Sequence, residues 1–232
     1  MGTAYQPTIV TEGLEALIDA ADPKCLTASD SITTRVYNTG NVLTGSGITF
    51  SDGITNSAGT GGSFFWTRSI NWAQTSFTFS GWGNRDDLND DREGRICDVL
   101  NAGNGHLRLT LQTNPTFRFR PTAGGVSDLV TATHTINAGE WYNLVITKEG
   151  ETSGGSASYV MYLNGVQIAT NTSSALVTDS NFTHYRLMRS ADDDYNSISW
   201  LGKFGSFYSY TRALTEQEVL QNFNATKDRF RI

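Results

Sequence analysis

The chain has 232 residues, a length that forms one domain with a full apolar core and needs no disulfide support. Its formal net charge is −6 and only 17% of its residues are charged, so a nucleic-acid-binding groove is not expected. Aromatic residues reach 11%, which excludes a disordered chain. No run of about 18 apolar residues occurs, so no membrane-spanning helix is expected.

Residues 1–12 are interpreted as an N-terminal arm and residues 13–232 as a single domain. The arm has neither the basic patch nor the apolar core of a secretory signal peptide. Pro7 favours an extended backbone, and Ile9 and Val10 are more apolar than a solvated tail requires. Two fates stay open for the arm: it adds a strand to a neighbouring subunit, or it folds on its own domain as an edge strand.

Three segments in the middle of the chain alternate apolar and polar residues with the period of a strand. Residues 77–84 place Phe77 and Phe79 on one face, residues 106–112 do the same with three leucines, and residues 116–122 with two phenylalanines. This pattern is typical of antiparallel strands with one face buried and one face solvated.

A hairpin is predicted further along the chain. Residues 141–148 and 157–163 are apolar on both faces, which favours central strands of packed sheets. The second run leads into Asn164-Gly165 and then into residues 166–169. Asn-Gly supplies the two positive φ angles of a type I′ turn, so the flanking runs are expected to pair. Residues 141–148 are expected to pair with this hairpin as the third strand of a meander.

One short helix is predicted over residues 215–224. Thr215 and Glu218 form a T-x-x-E capping box, and Leu214 and Val219 are placed as its hydrophobic staple. Many short strands, turns about every ten residues and this single helix predict an all-β fold, an antiparallel two-sheet sandwich of the jelly-roll type.

Several stretches resemble one family of proteins. The strings AGEWYNLVITKEG, YVMYLNGVQIATNTSS, SFTFSGWGN and LGKFGSFYSYTRALTEQEVL are similar to the sheet strands and closing helix of concanavalin A-like lectin/glucanase jelly rolls, in the laminin-G/pentraxin-like branch. GLEALIDAADPKCL and NFNATKDRF resemble a subset common in tailed-phage structural proteins. The resemblance implies the fold, but this fold carries lectins, enzymes and structural modules alike.

Catalysis is not expected, although glucanases share the fold. In that branch the paired carboxylates come from E-x-D-x-x-E on one strand, since residues i and i+2 share a face. No such motif occurs in this sequence.

Calcium is the second chemistry considered. Asp192, Asp193 and Asp194 follow a predicted strand, and hard cations take six to eight oxygen ligands. Asp192 and Asp194 are therefore candidate calcium ligands, with a solvated acidic loop as the alternative. No cofactor is required.

Carbohydrate binding is the third chemistry. Sugar sites combine an aromatic platform with side chains that hydrogen-bond hydroxyls, and Trp66 and Trp200 adjoin predicted loops. They are the candidate ligand-binding tryptophans, together with the three aspartates. Burial of all five tryptophans of the chain is the alternative. Trp82 and Trp141 match core positions of the family that the sequence resembles, and this resemblance implies that Trp141 is buried against the opposite sheet.

The sequence contains two cysteines. Cys25 and Cys97 lie far apart and outside any C-x-x-C motif. Two free, buried thiols are favoured over a single bridge, since no export signal is present.

The resemblance favours a non-catalytic structural protein of a tailed-phage virion, a capsid decoration protein or a peripheral tail component. Such a protein is made in the host cytoplasm, resides in the virion in many copies, and contacts capsid or tail subunits. It would present a sugar-binding face to host-surface glycans, with neither nucleic acid nor membrane as partner. A stand-alone glycan-binding lectin domain is the alternative, and a glycoside hydrolase ranks behind both.

Overall fold

The computed structural model describes most of the chain between Thr8 and Ile232. The described residues are 8–19, 26–27, 31–33, 42–46, 48–50, 54–56, 63–88, 94–101, 105–120, 127–151, 155–174, 181–188 and 202–232. At the described positions among residues 26–66, and at residues 68, 119, 120 and 127, the structure describes the backbone only. No helix in these ranges is long and apolar enough to cross a membrane.

The described residues form seventeen strands. In chain order they are β1 Leu14–Asp19, β2 Leu26–Thr27, β3 Ser31–Thr33, β4 Val42–Ser46, β5 Ile48–Phe50, β6 Ile54–Asn56, β7 Ser63–Ile70, β8 Phe77–Arg85, β9 Arg95–Asn101, β10 His106–Thr110, β11 Thr116–Arg120, β12 Ser127–Thr131, β13 Trp141–Glu149, β14 Ala157–Leu163, β15 Val166–Ser173, β16 Phe182–Leu187 and β17 Gly202–Tyr210. The pairing between them is antiparallel throughout.

The strands make two sheets that pack face to face. Sheet A has eight strands in the order β15-β14-β13-β8-β17-β6-β5, with β1 also paired to β17. Sheet B has nine strands in the order β12-β11-β10-β9-β16-β7-β4-β3-β2. The predicted all-β two-sheet sandwich with one C-terminal helix is therefore confirmed.

The predicted meander forms one end of sheet A. Ile146 of β13 pairs with Met161 of β14, and Leu163 pairs with Val166 across the turn. Asn164 and Gly165 have φ angles of 52° and 78°, the left-handed values that the Asn-Gly sequence predicts.

The main core fills the space between the sheets. Its largest side chains are aromatic: Trp72 and Phe79 meet edge to face with centroids 5.2 Å apart, and Phe77 stacks on Phe79 at 4.6 Å. The indole Nε1 of Trp72 donates to Tyr185 Oη over 2.9 Å. Cys97 is a free thiol inside this core, and burial raises its pKa far above the usual range.

The C-terminal helix covers the outer face of sheet A. Helix α1 spans Glu216–Thr226, and both hydrogen bonds of the predicted capping box are present: Thr215 accepts from the Glu218 backbone and Glu218 from the Thr215 backbone. Leu214 and Val219 are buried together in a second apolar cluster.

The helix is longer than the predicted 215–224. It passes at Thr226 into a 3-10 helix, Lys227–Phe230, and these last residues pack on Trp82. Trp82 lies between Phe230 at 4.2 Å and Phe223 at 5.7 Å, and its Nε1 donates to Thr226 Oγ1 over 3.0 Å. The side chains of β8 that point to the outer face of sheet A, such as Trp82, are buried because these helical residues cover them.

Trp141 does not lie between the sheets, although its resemblance to a family core position predicts burial against the opposite sheet. It pairs with Asn84 of β8, and Leu144 and Ile146 face the core. Because side chains alternate along a strand, Trp141 points to the outer face. There it is half-buried and contacts Phe230 at 4.7 Å.

The described part of the N-terminal arm lies on its own domain. Asn222 Oδ1 accepts from the backbone N–H of Val10 at 2.7 Å, and the Val10 carbonyl accepts from Tyr210 Oη at 3.0 Å. Ile9 and Val10 are partly buried against the cluster beneath α1. These contacts favour the arm folded on its own domain, but as a segment laid on the helix rather than as an edge strand.

Candidate functional site

The outer face of sheet B is polar and lies on the side of the sandwich opposite α1. Leu107 and Leu109 of β10 enter the core, so His106, Arg108 and Thr110 point outward by alternation. The sequence pattern predicts a solvated face here, but all three are buried, with exposures of 3% or less. A buried polar face needs internal partners, and the neighbouring strands provide them.

Five charged residues stand in one row across five neighbouring strands. The register aligns Asp128 with Arg118, Arg118 with Arg108, Arg108 with Asp98, and Asp98 with Arg186. Two arginines directly opposite each other destabilise a sheet unless they are compensated. Arg108 and Arg118 are opposite each other in this way. Each has an aspartate on its other side, Asp98 beside Arg108 and Asp128 beside Arg118, and these aspartates supply the compensation.

Asp98 is the centre of this row. Its Oδ2 accepts from Arg95 at 2.9 Å and lies 3.4 Å from Arg108 Nε, while Oδ1 lies 2.9 Å from His106 Nδ1. Burial alone would raise the pKa of Asp98, but the His106 hydrogen bond and the charges of His106, Arg95 and Arg108 outweigh burial and lower the pKa to about 2. Asp98 is therefore an ionised anchor for the arginines and not a proton donor near neutral pH.

A pocket opens beside the row, and we call it the outer pocket. It has a volume of about 300 Å³. The described residues that line it are Arg85, Leu88, Gln112, Thr113, Asn114, Thr116, Arg118 and Thr131. All of these residues except Leu88 carry a hydroxyl, amide or guanidinium group.

Two strands supply the floor of the outer pocket. Thr116 of β11 pairs with Thr131 of β12, and Arg118 lies two residues further along β11 on the same face. Thr131 is exposed, whereas Thr116 is buried and donates to the Asn114 carbonyl over 2.9 Å. Arg118 Nε lies 2.7 Å from Asp128 Oδ1, so the two residues form an ion pair at the end of the charged row.

Arg85 reaches the outer pocket from the other sheet. It ends β8, is buried, and donates through Nη1 to the Leu111 carbonyl at 3.4 Å. Gly94 permits this approach, since a Cβ atom there would clash with the Leu111 carbonyl oxygen and lie 2.7 Å from Arg85 Cδ. A residue larger than glycine would displace the side chain.

The site residues predicted from the sequence are not the ones brought together here. Trp200 and Asp192–Asp194 lie outside the described residues. Trp66 is described by its backbone only, and the register pairs it with Tyr185, a residue of the core, rather than with the charged row. The role of Trp66 in ligand binding therefore stays a prediction.

The calcium prediction likewise falls outside the described residues. Within the described ranges, no group of three or more His, Cys, Asp or Glu side chains is arranged to hold a metal ion. The aspartates of the charged row are each engaged by arginine instead.

Sequence reasoning did not identify the outer pocket. The sequence does contain one indication of it. Arginines occupy polar positions in both alternating segments, 106–112 and 116–122. Arginine, rather than lysine, is typical of buried or bidentate contacts.

The geometry defines a two-sheet β-sandwich that carries a small polar pocket on the outer face of one sheet. The family profile of the concanavalin A-like lectin/glucanase superfamily, of laminin G type, matches residues 57–220. The chain belongs to this superfamily. No match is found among curated proteins.

Solved structures share the fold over nearly the whole chain. Trypanosoma rangeli sialidase matches with a TM-score of 0.65 and 15% identity, over 95% of this chain and 34% of the sialidase. The binding domain of Paraclostridial Mosquitocidal Protein 1 matches with a TM-score of 0.66 and 20% identity, over 92% and 52%. Domain 4 of AbnA, an extracellular arabinanase from Geobacillus stearothermophilus solved with arabinotriose, matches with a TM-score of 0.62 and 16% identity, over 90% and 97%.

These identities establish a common fold and nothing finer. The chain spans about a third of the sialidase and about half of the mosquitocidal protein structure. It spans nearly all of the arabinanase domain.

Proposed function

We propose that this chain is a non-catalytic glycan-binding module and that the outer pocket is its ligand site. The observation that carries the proposal is a pocket of about 300 Å³ with hydroxyl, amide and guanidinium lining. This volume is at the lower end of the range for small-molecule sites. Directional donors and acceptors of this kind are what a ring of sugar hydroxyls requires.

The placement of the carboxylates on this face supports binding rather than hydrolysis. Asp98 and Asp128 stand three strands apart in the row, which is roughly 14 Å at the usual strand spacing. Paired glycosidase carboxylates lie about 5 to 9.5 Å apart, and one of them has a raised pKa. Asp98 has a lowered pKa, and Asp128 is engaged by Arg118.

Glycan binding is tested by closing the outer pocket. Thr131 is exposed and lines the pocket, so Thr131→Trp is expected to fill it without disturbing the core. Binding to an immobilised glycan panel, followed by calorimetry on any hit, should fall at least tenfold in this variant. Thr135→Trp is the matched control, since Thr135 is exposed but is not among the lining residues. Equal binding by the two variants would refute the site.

The non-catalytic proposal has its own assay. Purified protein incubated with β-glucans, arabinans and bacterial surface polysaccharides is expected to release no reducing ends. Turnover that disappears in an Asp or Glu variant would show that the module is an enzyme.

A second candidate function is a structural component of a tailed-phage virion, either a capsid decoration protein or a peripheral tail component present in many copies. Two exposed apolar side chains support it: Val166 is 63% exposed and Leu220 is 43% exposed. Leu220 lies next to the residue that precedes Val166, because a Cβ atom on Gly165 would lie 3.1 Å from Leu220 Cδ1. An apolar contact of this kind suits docking on another virion subunit.

Docking of this kind predicts copurification with intact virions at a fixed copy number. Leu220→Glu is expected to abolish incorporation, while Gln217→Glu on the same helix changes an exposed residue outside the apolar pair and serves as control. Incorporation of Leu220→Glu at full occupancy would rule out this surface.

A further inference from the structure

We infer that the outer pocket selects glycans that carry a carboxylate, as uronic and sialic acids do. This inference rests on the proposed glycan-binding function and adds the chemical class of the ligand. Its basis is the charge of the pocket, the way its arginine is held, and the spacing between that arginine and the threonine hydroxyls.

The charged residues among the described lining of the outer pocket are basic, whereas the protein as a whole is acidic. Two guanidinium groups, from Arg85 and Arg118, line it, and the described lining residues include no carboxylate side chain. The chain as a whole has a net charge of −6. Attraction for an anion therefore comes from these local groups, because the field of the remaining protein opposes it.

Arg118 already has an ion-pair partner on its own sheet before any ligand binds. Its Nε lies 2.7 Å from Asp128 Oδ1, and Arg108, directly opposite on β10, forms an ion pair with Asp98 at 3.4 Å. A guanidinium is planar, with donors that match a carboxylate in bidentate fashion. A side chain already ordered by its neighbours loses less entropy when a ligand arrives.

The hydroxyl groups lie at a suitable distance from this charge. Thr116 and Arg118 are two residues apart on the same face of β11, which corresponds to about 7 Å along a strand. Thr131 is exposed and pairs with Thr116 on the neighbouring strand, so the two threonines lie at the same distance along the strands. The outer pocket thus offers a guanidinium for an acid group and, about one sugar ring away, the hydroxyl of the exposed Thr131 for the ring.

The first experiment compares ligands that differ only in the acid. Oligogalacturonates are measured against the same oligomers after reduction of their carboxyl groups, and sialyllactose is measured against lactose. The acidic member of at least one pair is expected to bind about tenfold to a hundredfold more tightly, as a hydrogen-bonded charge pair implies. Its affinity should fall as salt is raised, because the attraction is screened. The two pairs separate uronic from sialic acids as the source of the carboxylate.

The second experiment changes the protein. Thr131→Glu and Thr131→Gln place side chains of nearly the same shape at one exposed position, and only the first adds a negative charge. Acidic glycans are expected to bind Thr131→Glu at least tenfold more weakly than Thr131→Gln. Arg118→Gln should reduce acidic binding by a similar factor. Arg229→Gln is its control, since Arg229 pairs with Asp19 rather than lining the pocket.

Each outcome decides between the two claims. If the neutral and acidic members of both pairs bind equally, glycan binding stands and carboxylate selection is wrong. If no glycan binds at all, the proposed function itself fails. If acidic glycans bind but the two Thr131 variants behave alike, the carboxylate is recognised elsewhere on the protein, and the inference is overturned.

Discussion

The ammonium group of Lys148 donates to the backbone carbonyl of Trp72 over 2.9 Å, inside the protein. It also donates to the carbonyls of Ala73 at 3.0 Å and Thr75 at 3.1 Å. One side chain from the end of β13 therefore satisfies three carbonyls of the connection between β7 and β8. That connection carries Trp72, one of the largest residues in the core.

Lys148→Met is expected to destabilise the fold by about 3 kcal/mol, because the three carbonyls lose a buried donor while the aliphatic stem is retained. Denaturant unfolding followed by tryptophan fluorescence measures the loss. Lys203→Met in β17 is the control, since Lys203 is only half-buried. Superimposable unfolding curves for Lys148→Met and the wild type would contradict this role.

Acid is expected to lower the free energy of unfolding, because it protonates Asp98. Its pKa is about 2 in the folded state against a usual value of 3.8. The carboxylate therefore contributes about 2 kcal/mol of unfolding free energy above pH 4, and this contribution disappears as the pH falls toward 2. Asp98→Asn is expected to lower stability at pH 7 and to flatten the dependence on pH between 4 and 2.

Urea titrations at several pH values provide the measurement for Asp98. Asp19→Asn removes a carboxylate that pairs with Arg229 nearer the surface, so the acid slope should persist in that variant. An unchanged slope in Asp98→Asn would assign acid sensitivity to other carboxyl groups.

Trp82 and Trp141 should differ sharply when replaced by alanine. Trp82 is fully buried between Phe223 and Phe230, so Trp82→Ala should lose about 3–5 kcal/mol through transfer and cavity terms. Trp141 is half-buried and contacts the edge of the same cluster, so its loss should be clearly smaller. Melting curves of the two variants test the ranking, and equal losses would place Trp141 in the core after all.

The N-terminal cap of helix α1 contributes less to the free energy of unfolding than Trp82 does, and it can be tested separately. Thr215→Ala should cost about 1 kcal/mol, because the Glu218 backbone N–H loses its acceptor. Thr215→Ser keeps the hydroxyl and is expected to restore stability. If alanine and serine give the same midpoint in denaturant, the capping box contributes nothing measurable.

The local features that the sequence predicts correctly are those decided within a few residues. Asn164-Gly165 requires positive φ angles, and Thr215 with Glu218 caps a helix wherever that helix packs. The prediction that Trp141 is buried between the sheets was wrong, because its burial depends on which face of β13 meets the core. Apolar residues occupy both faces of that strand, so its alternation alone gives no answer.

The outer pocket escaped prediction for a related reason. Arg108 and Arg118 are visible in the sequence as polar positions of alternating strands, which usually means solvated positions. Their alignment with Asp98 and Asp128 depends on the register of four strands, and two of the three pairings contain an irregularity. Such shifts cannot be read from composition or period.

The ends of the described chain have a consequence for how the module is displayed. Val10 is bound to Asn222 of α1, and Asp19 to Arg229 of the 3-10 helix, so both ends are anchored on the outer side of sheet A. The outer pocket is on the outer side of sheet B. A support, a surface or a fused domain joined near either end would therefore hold the module from behind and leave its pocket facing the surrounding medium. Immobilisation through a terminal tag should accordingly leave the pocket open to large polymers as well as to short oligosaccharides.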